Sequence, residues 1–207
     1  MNLKLETDNK DYEVLQNAVR RIKDVPGMIC EIGTRRGGSL AHIINTLGEM
    51  QDLHRNIVFL DPYGSIEYAQ SESVKRPHTD YSNQMRNETL AALYYYVSNH
   101  PVNPVPFIME DTEFFKRFAD GVPFYLSRKV METKYALVFF DGPHDVASII
   151  TEIEFFHPRS VPGSVWVFDD VVGYYDHEKI EQIVFSLNWR LIEKTDRKAS
   201  YYLGGEK

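Results

Sequence analysis

The apolar positions of this chain fall into two rhythms. Short runs that are apolar almost throughout occur at residues 28–33 (MICEIG), 56–61 (NIVFLD), 105–109 (VPFIM), 135–141 (YALVFFD) and 164–170 (SVWVFDD). Between and around them lie stretches with helical spacing, at 11–23, 39–50, 81–100, 112–120, 146–157 and 177–187. In the first of these Val14, Leu15, Ala18 and Ile22 share one face. Strands that alternate with helices predict crossovers and a parallel sheet. Helices on both faces then explain why the strands lack inside–outside alternation. Two further runs, 189–195 and 199–205, are joined by the polar turn DRK and must pair antiparallel. The expectation is an α/β doubly wound sheet, mostly parallel with an antiparallel last strand. Residues 62–80 show no clean period and are expected to form a long loop, a candidate lid. No repeat, linker or low-complexity segment divides the chain, so residues 1–207 are read as a single domain.

In an open α/β sheet, ligands bind beyond the carboxyl ends of the strands. Those ends are Gly33, Asp61, Met109, Asp141 and the pair Asp169–Asp170. The loop CEIGTRRGGSL, which opens the second helix, excludes two glycine-loop chemistries. A phosphate loop needs lysine where Ser39 stands, and a dinucleotide fingerprint needs glycine where Arg35 stands. What remains is Glu31, Gly33 and Gly37 in an E-x-G-x-x-x-G pattern. An acidic residue there repels phosphate and suits a cationic ligand such as S-adenosyl-L-methionine, which carries an ammonium and a sulfonium. The alternative is a strand-to-helix turn with no ligand. Asp61 is expected to accept ribose hydroxyls, or to be a turn residue before Pro62. Asp111 is expected either to cap the helix at 112–120 or to contact the adenine end of a cofactor.

Composition changes this picture little. The chain has 207 residues, 43% hydrophobic and 26% charged, with a net charge of −7, which disfavours capture of nucleic acid. The single cysteine, Cys30, sits in an apolar run and reads as a small buried side chain in a reducing compartment. No apolar run reaches the roughly 20 residues that span a bilayer, and the N-terminal residues carry no signal core. The expectation is a cytoplasmic protein with neither nucleic acid nor membrane as partner.

The segments EIGTRRGGSL, FLDPYG, FFDGPHD and PGSVWVFDD, in this order, resemble the class I S-adenosylmethionine-dependent methyltransferases. More narrowly they resemble the macrocin O-methyltransferase type, a metal-dependent group that acts on sugar hydroxyls. The resemblance covers about residues 28–171. It implies a Rossmann-like fold and a cofactor site that includes Glu31, Gly33, Thr34, Gly37, Ser39, Asp61, Asp111 and Asp141. It also implies that Asp141, Asp169 and Asp170 ligate Mg²⁺ or another hard divalent cation. Such a cation would relieve the mutual repulsion of three carboxylates on adjacent strand ends. Relatives with D-G-D use the second aspartate as base. Here Pro143 holds that place, so His144 is the expected general base and Asp145 the runner-up.

Other readings of these residues stay open. Asp169 and Asp170 would otherwise cap a segment or face solvent, His144 would be a loop histidine, and Asp145 would N-cap the helix at 146–157. Tyr63, Tyr68 and Tyr81 flank the candidate lid and would stack on an acceptor or pack the lid down. The implied partner is a small polyhydroxylated acceptor, a sugar or a catechol, with self-association left open. The rival functions are a metal-independent methyltransferase and a non-catalytic cofactor-binding protein of the same fold.

Overall fold

The computed structural model describes residues 3–7, 10–71 and 74–205. A seven-stranded sheet runs through its middle. Five strands are parallel: β1 (Met28–Ile32), β2 (Asn56–Leu60), β5 (Asn103–Phe107), β8 (Tyr135–Phe140) and β9 (Ser160–Phe168). The remaining two are β10 (Trp189–Lys194) and β11 (Ala199–Leu203). The spatial order is β10-β11-β9-β8-β1-β2-β5, with β11 antiparallel to both of its neighbours. The doubly wound expectation holds, including the antiparallel last strand. The helices α1 (Tyr12–Arg21), α2 (Gly38–Glu49), α3 (Asn83–Val97), α4 (Asp111–Arg117), α5 (Val146–Phe156) and α6 (His177–Ser186) follow the predicted spans closely. Among the described residues no helix is long and apolar enough to cross a membrane.

The two faces of the sheet bury separate cores. Met28, Cys30 and Ile32 of β1 join Val138, Phe140, Trp166 and Phe168 under α4, α5 and α6. Ile29 joins Ile57, Phe59, Leu137, Phe139, Val165 and Val167 under α1, α2 and α3. Every residue of β1 and β8 is buried, as a strand covered on both sides requires. Alternation along the strands also sets direction at their ends. Glu31, Asp61 and Asp169 continue the parity of the second set, toward the face covered by α1 and α2.

Three local expectations change. The edge strand β5 lies two residues earlier than the apolar run suggests and contains Pro104 and Pro106. Proline is tolerated there because, among the described residues, β5 pairs only with β2 and presents its other edge to no strand. Within the segment 62–80, expected to be a loop, β3 (Tyr68–Ser71) and β4 (Val74–His78) pair as an antiparallel ribbon outside the main sheet. Residues 72 and 73 of that candidate lid lie outside the described residues. A ribbon satisfies its own backbone groups and needs no apolar period to form. A second ribbon, β6 (Val122–Tyr125) with β7 (Lys129–Glu132), was not anticipated. Its signal is period two: Val122 and Phe124 are buried while Tyr125 is exposed.

One core histidine gives the fold an acid-sensitive point. His177 is buried and hydrogen-bonds through its ring nitrogens to the hydroxyls of Tyr175 (3.3 Å) and Tyr201 (2.9 Å). Burial pushes its pKa down to about 4. The unfolded chain therefore binds this proton at higher pH than the folded chain does. Stability falls as pH drops from about 6.5 toward 4, by on the order of 3 kcal/mol for this group alone. Thermal melts across that window should show the loss, and His177→Gln should flatten it.

Candidate active site

A cleft of about 580 Å³ opens across the carboxyl ends of β1, β2, β5, β8 and β9. That is ample for a cofactor-sized ligand. Of the twelve site residues expected from the sequence, nine line it: Gly33, Thr34, Ser39, Asp61, Asp111, Asp141, His144, Asp145 and Asp170. Glu31, Gly37 and Asp169 do not line it.

The loop after β1 is held by backbone geometry. Gly33 has φ +82°, and a Cβ there would sit 1.8 Å from the carbonyl oxygen of Asp141. This glycine thus lets the ends of β1 and β8 approach each other, which is a different need from close approach to a ligand. Gly37 is the left-handed N-cap of α2, where a Cβ would meet Leu5 at 2.8 Å. Glu31 lies one layer behind the wall, fully buried, with Oε2 accepting from the Thr34 hydroxyl at 3.2 Å. Its Oε1 has no protein hydrogen-bond partner. Burial pushes its pKa up to about 7, against the pull of the Ser39 and Thr34 hydroxyls.

Asp61 is also buried at the end of β2. Its Oδ2 accepts from the Arg35 backbone N–H at 2.7 Å and its Oδ1 from that of Tyr63 at 3.0 Å. The Thr34 backbone N–H also bonds this carboxylate, which lines the cleft with the lone-pair capacity that remains. Tyr63 packs the loop down: it is buried and donates its hydroxyl to the Arg35 carbonyl at 2.6 Å. Tyr68 and Tyr81 also line the cleft, stacked on each other with centroids 4.7 Å apart. Arg35, Tyr63 and Asp170 all line the cleft with left-handed backbones (φ 47°, 52° and 53°). Such strain in non-glycine residues gathers at functional sites. At the far end, Asp111 starts α4 and takes the Thr112 N–H on Oδ1 at 2.7 Å, with Glu110 in the N-cap position. The neighbouring Glu152 carboxyl hydrogen-bonds with Asp111. Burial raises both Asp111 and the neighbouring Glu152, the latter well above the carboxylate range.

The DGPHD segment brings three groups together. His144 Nε2 lies 3.8 Å from an Asp141 carboxylate oxygen and 3.7 Å from one of Asp170. The Asp141 side chain keeps 26% of its surface, yet the surrounding protein raises its pKa well above the usual range. Burial is the first cause and Asp169 the second, with His144 and Lys198 opposing. Asp145, the runner-up base, N-caps α5 by accepting from Ser148 N–H at 2.9 Å. It therefore has a structural role.

Two of the three expected metal ligands, Asp169 and Asp170, are engaged elsewhere. Asp169 and Lys198 are both 0% exposed at the side chain, and Lys198 Nζ bonds both carboxylate oxygens at 2.9 Å. Asp169 Oδ1 also accepts from Asp170 N–H at 2.7 Å. Asp170 is ion-paired with Arg197, whose guanidinium also donates to the Tyr174 hydroxyl at 3.1 Å. Among the described residues no three histidine, cysteine or acidic side chains are arranged to hold a metal. This donor set does not fit a divalent cation. The acidic wall formed by Asp61 and Asp111, with Glu31 buried behind it, does fit a cationic nucleoside. Sequence reasoning missed Arg197, Lys198 and Tyr174. They come from the turn before β11 and the segment after β9, and nothing in their spacing ties them to the other strand ends.

Comparison with known proteins agrees with this fold. A family model described as a methyltransferase domain matches residues 30–171. No curated protein matches the chain by sequence. Among solved structures, CalS11, a TDP-rhamnose 3′-O-methyltransferase of calicheamicin biosynthesis, superposes with a TM-score of 0.57 at 20% identity. That match covers 94% of this chain and 80% of the other. The O-methyltransferase NovP matches at TM-score 0.62 and 16% identity, over 94% and 79% of the two chains. An O-methyltransferase from Bacillus cereus, solved with S-adenosylhomocysteine, matches at 0.57 and 13%, over 96% and 84%. The family match spans the glycine loop, the Asp61 strand end and the cluster around His144, and by it the chain belongs to the S-adenosylmethionine-dependent methyltransferases.

Proposed function

We propose that this methyltransferase acts on a hydroxyl of a small polyhydroxylated acceptor, a sugar before a catechol, with His144 as general base. The observation that carries the reading is a cleft-lining imidazole set between the Asp141 and Asp170 carboxylates at 3.8 and 3.7 Å. The sugar preference draws support from solved structures of similar fold, one of them an enzyme that methylates a TDP-sugar.

S-adenosylmethionine, when bound, supplies a methyl group on a sulfonium, and the electron pair of the broken C–S bond returns to sulfur. An alcohol is a weak nucleophile until it loses its proton. His144 takes that proton as the new C–O bond forms, which contributes roughly 10²- to 10⁴-fold. The Asp141 and Asp170 carboxylates stabilise the imidazolium that results. Asp61 holds the nucleoside hydroxyls with its spare lone pairs, and Asp111 faces the base. Tyr68 and Tyr81 offer an aromatic wall to the acceptor ring.

Calorimetric titration of S-adenosylmethionine into the protein tests the first half of this reading, with micromolar binding expected. Asp61→Ala should weaken it about 10- to 100-fold, the worth of hydrogen bonds to a charged acceptor. A panel of sugar and catechol diols with labelled cofactor tests the second half. Absence of cofactor binding would sink the proposal. Turnover of catechols but not sugars would redirect the acceptor class.

A further inference from the structure

The cluster beyond β8 and β9 holds three carboxylates, Asp141, Asp169 and Asp170, and two cations, Arg197 and Lys198. A divalent ion bound by three carboxylates contributes two positive charges. Arg197 and Lys198 contribute the same two. We infer that this site works without a divalent cation, and that Lys198 and Arg197 take over its charge-balancing part, with Arg197 on the acceptor side. The inference rests on the methyltransferase reading above and specifies how its reaction centre is built.

Three observations carry it. First, Asp169 presents no carboxylate oxygen to the cleft. Its oxygens accept two bonds from Lys198 Nζ and one from Asp170 N–H, and its side chain is wholly buried. Second, Lys198 cannot step aside at low cost. Its ammonium lies 4.8 Å from the Tyr12 ring centroid and 5.6 Å from that of Phe139, inside the protein. A metal at Asp169 would either face that ammonium at close range or strand it unpaired in the interior. Third, Arg197 reaches the cleft from the same turn. It pairs with Asp170, lies over the Tyr174 ring at 5.1 Å and bonds its hydroxyl, and it remains 30% exposed. A planar guanidinium fixed in this way presents donors to an oxygen-rich acceptor, the part a metal plays when it chelates a diol. Lys198 touches no cleft surface and is a positioning residue: it holds Asp169, whose backbone N–H and carbonyl oxygen lock the turn through Phe140 and Tyr175.

The test is a Mn²⁺ titration of the full-length protein saturated with S-adenosylhomocysteine, with free Mn²⁺ read by electron paramagnetic resonance. No saturable site through the millimolar range is expected for the wild type. Lys198→Met, which frees Asp169, and Arg197→Gln, which frees Asp170, should each bind Mn²⁺ at least about tenfold tighter than the wild type. The two variants stand in for each other if one does not fold. A wild-type Mn²⁺ site that Asp170→Asn removes would overturn the inference. So would a folded pair of variants that gains no Mn²⁺ affinity. Homocysteine-product binding is measured in the same samples, so its absence would count against the cofactor reading alone. The metal result stands without any turnover.

Discussion

His144→Ala is expected to lower methyl transfer by about 10²- to 10⁴-fold while leaving cofactor affinity within a factor of two or so. The ring lines the cleft beside Asp141 and Asp170, at the ends of β8 and β9, whereas Asp61 lies at the end of β2. Its loss therefore removes the proton acceptor and spares the nucleoside end. His144→Gln would keep the volume and some hydrogen bonding but not the basicity, so it should fall with alanine. Single-turnover rates with labelled cofactor, set beside calorimetric affinities for S-adenosylhomocysteine, separate the two effects. A variant that kept full turnover would remove His144 from the mechanism. Parallel losses of turnover and cofactor affinity would make it a scaffold residue.

Lys198→Ala should be the most destabilising single change in the site. Both partners of the Lys198–Asp169 pair are fully buried, so truncating one leaves the other charge in the interior without compensation. That costs about 3–5 kcal/mol, or roughly 6–20 °C in melting temperature for a domain of this size. The double replacement Asp169→Leu with Lys198→Met should recover much of the loss, because both charges leave together. Thermal melts of the wild type, Lys198→Met, Asp169→Leu and the double variant give the coupling energy directly. If Lys198→Ala melted within a degree or so of the wild type, the pair would not be the buried lock described above. Surface pairs offer the contrast: Arg20 and Glu49 are about half exposed, and removing either should shift stability by well under about 1 kcal/mol.

The site is built from strand ends, and that explains how far it could be read in advance. The apolar runs at β1, β2, β8 and β9 marked where the strands stop, and the topology rule marked that edge as the site. Gly33, Asp61, Asp141, His144 and Asp170 all follow from those two steps. The roles were less legible than the positions. Gly33 serves the contact between strands β1 and β8, because its missing Cβ would otherwise meet the Asp141 carbonyl. Asp145 turned out to be a helix cap, the alternative its place before an apolar helix had offered.

By itself the sequence determined the alternation of strands and helices, the burial of the sheet on both faces, and the chemistry gathered at the strand ends. Those features depend on spacing within one element, and period and turn residues report spacing directly. Only the tertiary structure decided which charges neutralise one another. Lys198 reaches Asp169 across 29 residues because β11 inserts between β9 and β10 and brings its leading turn over the end of β9. Three carboxylates read along the chain look like a metal site. Two of the three, Asp169 and Asp170, are met in space by a lysine and an arginine from a distant turn and are already paired. Pairing of this kind rests on long-range packing, which no local period encodes.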